Sequence, residues 1–267
     1  MRIYDDNTER LNGTAGTGEK LFDYANQRAE RAIAAALWRY APDVLIASEH
    51  GDDVAIVGSE MVDQPAWLVE PLHGAGEFAR GTGGFTINIA LIERSTPVLG
   101  VVYAPDRGVL YAGEVETGAV RAEVDWNYWM DDYRTEPIEV LERAVALPQG
   151  RHYPDRFRLL IPRGRKSREL QDYIRDRRKD EPELEADATA GPLRFCAVAE
   201  GTAEEAITLS STMEWTTAAG HAVAQAAGCR VCVWRGGFSL LYNKEARENP
   251  PFVVTGAFVS APKDSLG

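Results

Sequence analysis

Cysteine, histidine and positive charge are all scarce in this chain. Its three cysteines are Cys196, Cys229 and Cys232. The last two have C-x-x-C spacing, but they lie in the apolar segment GCRVCVW with no second ligand pair. They read as buried thiols in or beside a strand rather than as a redox or metal motif. Lys and Arg number 29 against 41 Asp and Glu, a formal charge of −12. That field repels nucleic acid and anionic membrane surfaces, so a negatively charged metabolite would need a local positive pocket. No apolar run approaches the ~20 residues of a membrane span, and residues 1–30 lack the charged-then-apolar pattern of a signal peptide. The expected location is the cytoplasm. What is present is 45% hydrophobic content in 267 residues, enough for one large core or two fused layers.

Residues 1–19 are polar and contain GTAGTG. No strand precedes these glycines and no G-K-[ST] ends the run, so a flexible N-terminus is expected rather than a phosphate cradle. From Lys20 to Tyr40, Leu21, Ala25, Ala29, Ile33 and Leu37 recur at helical spacing, and Pro42 ends the helix. Val44 to Ala47 reads as a short buried strand. Four further strand-like segments follow, Phe85–Glu93, Val98–Tyr103, Val109–Glu114 and Ala119–Glu123, separated by turn residues as in an antiparallel meander. Residues 124–156 carry Trp126, Tyr128, Trp129 and Tyr133 and read as a connector; a connector packed on the core, a ligand mouth and a subunit interface all fit these aromatics. Phe157–Ile161 reads as a strand. The basic run Arg163, Arg165, Lys166 and Arg168 then opens a helix to about Lys179, either an anion-binding helix start or a solvated face balanced by the acids from Asp180 to Asp187. A helix from Glu214 to Gly228 and strands at Val231–Trp234 and Phe252–Val259 complete the chain. The expected division is an α+β half over 20–135 and an α/β half over 150–267, with the site between them.

Two stretches carry chemistry. Residues 67–88 read WLVEPLHGAGEFARGTGGFTIN, and residues 214–222 read EWTTAAGHA. The first resembles the strand W-L-V-D-P-L-D-G-T-K-E-F followed by F-T-V-N-I-A-L-I of the inositol monophosphatase superfamily, most closely its branch of 3'(2'),5'-bisphosphate nucleotidases. The second resembles that family's W-D-T-A-A-G-H-A. The resemblance covers roughly residues 20–260 and implies a layered αβαβα sandwich of the α/β (α+β) class, with a mainly antiparallel sheet in the first half and a mixed sheet in the second.

The resemblance also implies a site where carboxylates hold Mg²⁺ for hydrolysis of a phosphate ester. Onto those positions this chain places Asn26, His50, Glu70, His73, Ala75 and Thr216. One carboxylate remains, and Glu70 is longer than the family aspartate by a methylene, a displacement of about 1 Å. These changes argue against Mg²⁺-dependent hydrolysis. His50, Glu70 and His73 could instead bind a softer ion, Zn²⁺ or Fe²⁺, or act without metal as an acid/base set, with Asn26 and Thr216 beside them. Gly74, Ala75, Arg163 and Arg165 are the candidate contacts to the anion. His221 keeps the family residue and is assigned to helix packing. Three readings stay open. One is a non-hydrolytic member that binds a phosphorylated or sulfated small molecule and promotes its displacement, cyclisation or elimination, with a homologous subunit in a hetero- or homodimer. Another is a pseudophosphatase serving as structural partner of an active homologue. The last is a residual metal-dependent phosphatase.

Overall fold

The computed structural model describes residues 17–49, 64–124, 137–150, 155–164 and 166–259. Residues 1–16, with the first four of the GTAGTG run, the four connector aromatics, His50 and Arg165 lie outside the described residues, whereas residues 17–19, expected in a flexible N-terminus, begin the first helix. A long helix, α1 (Thr17–Tyr40), leads into β1 (Leu45–Ser48), β2 (Ala66–His73), the short α2 (Ala75–Arg80), β3 (Thr86–Glu93), β4 (Thr96–Ala104), β5 (Val109–Glu114) and β6 (Gly118–Glu123). The next helix, α3 (Pro137–Glu142), precedes β7 (Val145–Leu147). These seven strands form one sheet in chain order, β1 parallel to β2 and every other pair antiparallel. The remainder runs β8 (Phe157–Ile161), α4 (Arg168–Asp180), β9 (Leu184–Ala188), α5 (Leu193–Glu200), β10 (Glu205–Thr208), β11 (Thr212–Met213), α6 (Glu214–Ala226), β12 (Arg230–Val233), β13 (Glu248–Asn249) and β14 (Phe252–Thr255). Five of these strands make a mixed sheet ordered β12-β14-β10-β8-β9.

Residue size decides how the layers meet. On β3 the inward row is Thr86, Asn88, Ala90 and Ile92, and on β4 it includes Gly100, Val102 and Ala104. Small side chains here leave room for α6, whose buried face is equally small: Ala218, Ala219, Ala222 and Val223. A Cβ on Gly100 would run into the carbonyl of Ala219, and one on Gly113 would stand 2.7 Å from Cα of Val223, so the helix backbone lies directly on the sheet. Side chains of β8 alternate between neighbours. Phe157, Leu159 and Ile161 cluster with Leu170 and Ile174 of α4, while Leu160 joins the larger core with α5 and α6. Full burial of such Leu, Ile and Phe side chains contributes about 1.5–3 kcal/mol each. The layers are therefore α1 with α2, the seven-stranded sheet, α5 with α6, the mixed sheet, and α4. This is the expected αβαβα sandwich.

Three local readings need correction. Residues 145–147, expected in the connector, form β7 and pair with β6, Leu147 being buried against the core. The acidic run after α4 contains strand β9: Leu184 is buried, and Asp187 accepts from Arg158 at 2.9 Å, so an edge position lets its acids face out. The helix after β8 starts only at Arg168, because Ser167 Oγ accepts the Leu170 N–H at 3.1 Å. Arg163 thus sits in the preceding loop, not at the start of a helix. The three cysteines are free, Cys196 and Cys229 buried, and burial pushes the Cys229 thiol up to about 11.

Candidate functional site

Strand β2 brings the first cluster together. Pro71 has no N–H to offer the ladder, and the β2–β3 register shifts between Glu70 and His73. Glu70 pairs across the sheet with Asn88, whose Nδ2 donates to Glu70 Oε2 at 2.8 Å and lies 3.1 Å from Thr86 Oγ1. The other carboxylate oxygen, Oε1, accepts from the Thr216 hydroxyl at 2.8 Å and lies 2.9 Å from His73 Nδ1. Glu70, His73 and Thr216 therefore come together from β2 and the first turn of α6, while His50, expected to join Glu70 and His73, lies outside the described residues. Burial works against protonation of His73. The Glu70 carboxylate hydrogen-bonded to it outweighs that, with Glu49 and Glu77 adding to the attraction, and the imidazole pKa is held above its usual value.

These residues do not fit Mg²⁺. The ion needs about six oxygen ligands at about 2.0–2.1 Å. Here both oxygens of the one carboxylate face N–H and O–H donors, and Asn88 turns its amide nitrogen, not its oxygen, to Glu70. Among the described residues no three His, Cys, Asp or Glu side chains gather closely enough to hold a metal ion. Glu70 and His73 bond each other, with Nδ1 of the ring already committed. Asn26 is 1% exposed on α1 and makes no hydrogen bond through either amide atom, so it is not joined to Glu70.

A second set of contacts lies beside this cluster. A Cβ on Gly191, two residues before α5, would run into His73 Nε2, so the ring from the first sheet fits only because residue 191 is glycine. From the loop after β8, Arg163 Nη1 donates to Glu77 Oε1 at 3.0 Å. Partial burial tends to raise the Glu77 pKa, but the Arg163 hydrogen bond and charge prevail and hold it below the usual carboxylate value. A Cβ on Gly84 would stand 3.5 Å from Arg163 Nη2 and 3.6 Å from Cβ of Ala190, so the guanidinium borders the same Ala190–Gly191 wall as His73. Gly84 is fixed by Asp106, which accepts its N–H at 2.9 Å. Gly74 caps α2 at φ 95°, and a Cβ there would press on Cα of Phe85 at 3.2 Å; the exposed Ala75 follows it.

Beneath Thr216 the start of α6 is locked. Glu214, fully buried, accepts from the backbone N–H groups of Asn243 at 2.8 Å and Lys244 at 3.1 Å, and pairs with the side chains of Lys244 and Arg247. Thr217 Oγ1 accepts from Asn249 at 2.6 Å and from the Tyr242 hydroxyl at 3.4 Å, and that hydroxyl also bonds His221 Nδ1 at 3.0 Å. His221 packs as expected, and burial pushes its pKa down to about 3. Sequence reasoning missed Asn88, Glu77 and Gly191. For Asn88 a signal existed: in T-I-N-I-A a polar residue occupies the inward phase of an alternating strand, which calls for a buried partner.

The described geometry can be set beside known proteins. The chain matches the model of the inositol monophosphatase family over residues 3–257. It is 34% identical to the 3'(2'),5'-bisphosphate nucleotidase CysQ of Salmonella typhimurium, over 96% of this chain and 93% of the relative. It is 31% identical to the protein of the same name from Escherichia coli K12, with the same coverage. Among solved structures it superimposes on CysQ from Bacteroides thetaiotaomicron with a TM-score of 0.83 and 32% identity, over 96% of this chain and 91% of that one. Inositol monophosphatase II from Staphylococcus aureus, at 19% identity and a TM-score of 0.67, with 96% and 85% of the two chains covered, shares the fold.

Proposed function

This chain belongs to the inositol monophosphatase family, and we propose that it binds a phosphorylated or sulfated small molecule of the nucleoside bisphosphate class without the family's Mg²⁺-dependent hydrolysis. The observation that carries this reading is the state of Glu70. Its two oxygens accept from Asn88 and Thr216 and face the His73 ring, so the carboxylate that would hold a metal ion is satisfied by protein donors. A hydrolytic water needs a metal or a free base to activate it. Thr216 and Asn26 supply neither; of the His73 ring nitrogens, Nδ1 is committed to Glu70 and Nε2 lies against Gly191.

The nucleotidase names of its relatives supply the ligand class. A second reading, residual bisphosphate nucleotidase activity, is favoured by the 34% identity that extends over nearly the whole chain. One assay separates the two. The purified protein is incubated with adenosine 3',5'-bisphosphate and Mg²⁺, Mn²⁺ or Zn²⁺, while inorganic phosphate and the intact nucleotide are both followed. Saturable binding with no phosphate release in any metal is the expected result. Metal-dependent release that disappears in Glu70→Gln would replace the first reading with the second.

A further inference from the structure

The face of the seven-stranded sheet turned away from α6 is apolar over β4 to β6. On the α6 side Val102 and Ala104 of β4 and Val109 and Tyr111 of β5 are buried in the core. Side chains alternate along a strand, so Leu99, Val101 and Tyr103, Leu110 and Ala112, and Val120 of β6 take the opposite face. They are only half-buried, and they line a hollow of about 660 Å³ bordered by Val140 and Leu141 of α3. An antiparallel sheet whose second face meets water carries polar residues there; apolar residues in that row call for a cover. The rim is acidic. Glu114 lines the hollow, and Glu116 and Glu142 are exposed beside the lining residues Thr117 and Leu141.

Helix α1 has the complementary character. Its first half is anchored, with Phe22 edge-on to Phe78 and Asn26 buried. From Gln27 to Tyr40 no residue is buried, although Ile33, Leu37, Trp38 and three consecutive alanines lie there; Trp38 and Tyr40 are 69% and 82% exposed. The same stretch carries Arg28, Arg31 and Arg39 against Glu30 alone, so it is basic in a chain of formal charge −12.

We infer that two copies of this chain form a symmetric dimer in which the second half of α1 from each copy, Gln27–Tyr40, lies on the outer sheet face of the other. Apolar side chains of the helix enter the hollow, and its arginines meet the acidic rim. A helical stretch of this length spans about 21 Å, enough to cross the outer rows of β4, β5 and β6 at about 4.8 Å between strands. A twofold axis makes the contact twice, on the scale of the roughly 800 Å² per partner that a stable dimer buries.

Sedimentation velocity of the full chain over a range of concentrations tests this, with Trp38→Asp on the helix and Val101→Asp on the sheet. The wild type is expected to dimerise, and each variant alone should raise the dimer Kd about tenfold or more. The decisive sample is an equimolar mixture of the two variants. A mixed pair keeps one intact contact, the normal helix of one variant on the normal sheet of the other, so it should associate about tenfold more tightly than either variant alone. Thermal melts check that both variants fold, and Leu141→Asp, at a side chain already 47% exposed, replaces Val101→Asp if that variant does not. A wild type that stays monomeric at every concentration would overturn the inference and leave the face to a segment of its own chain or to another protein. A dimer that either the helix or the sheet variant leaves unchanged would overturn it, and so would a mixture that associates no better than its components.

Discussion

Thr216 stands between two polar clusters whose hydrogen bonding differs in kind. Below it, Glu214, Thr217, His221, Tyr242, Lys244 and Asn249 are bonded to one another or to backbone, and all but the half-buried Lys244 are buried. Above it, Glu70 is equally well bonded, yet donors and acceptors around it are left over: His73 Nε2, the Asn88 Oδ1 and, on α1, both amide atoms of Asn26. A fully satisfied polar cluster rigidifies a core, whereas buried polar atoms without partners are what a ligand or ordered water completes. On the proposed reading, the difference separates what holds the fold from what meets a ligand, even though both clusters come from motif segments.

Mutations in the lower cluster should therefore affect stability most. Glu214→Ala leaves Lys244 and Arg247 without their carboxylate and should cost about 3–5 kcal/mol in urea unfolding. A loss below about 1 kcal/mol would show that the lower cluster is not the structural one.

Two glycines give a matched pair at the next level. Alanine at Gly100 meets the backbone carbonyl of Ala219, so α6 itself must shift, and the expected loss is about 2–3 kcal/mol. Alanine at Gly191 meets only the end of the His73 side chain, which can turn away, and the expected loss is under about 1 kcal/mol. Equal losses in thermal melts of the two variants would erase the distinction between the regions.

The two histidines should separate in their pH dependence. His221 is pushed down to about 3, so the unfolded chain binds its proton first. Its contribution to stability falls as pH drops from about 6.5 towards 3, at most about 1.4 kcal/mol per pH unit. For His73 the pKa is raised by Glu70 against the effect of burial, so the folded chain holds the proton longer. That contribution is fully present below the unfolded value and is lost as pH rises through the folded one. Urea unfolding of the wild type, His221→Asn and His73→Asn across pH 5–8 should give slopes that change in opposite senses; changes of the same sense would contradict the assignment.

Much of this was legible from residue order alone. The family resemblance implied that Glu70, His73 and Thr216 share one site, and alternation gave the meander nearly strand for strand. What was not legible depended on contacts that no local pattern encodes. The bond from Arg163 to Glu77 spans 86 residues, and the fit of His73 against Gly191 depends on how α5 enters its layer. Strand β9 was hidden because Glu183, Glu185 and Asp187 look like a solvated run; only Leu184, and a parallel partner found after a helix, mark it as an edge strand. Strand β7 offers one buried residue in three, too short a signal for alternation to register.

The most direct test is a crystal structure grown with Mn²⁺ and adenosine 3',5'-bisphosphate, with data collected at the manganese absorption edge. The account predicts no anomalous peak between Glu70 and Thr216 and an intact Glu70–His73 contact. A manganese ion coordinated by Glu70, with His73 swung away, would contradict it.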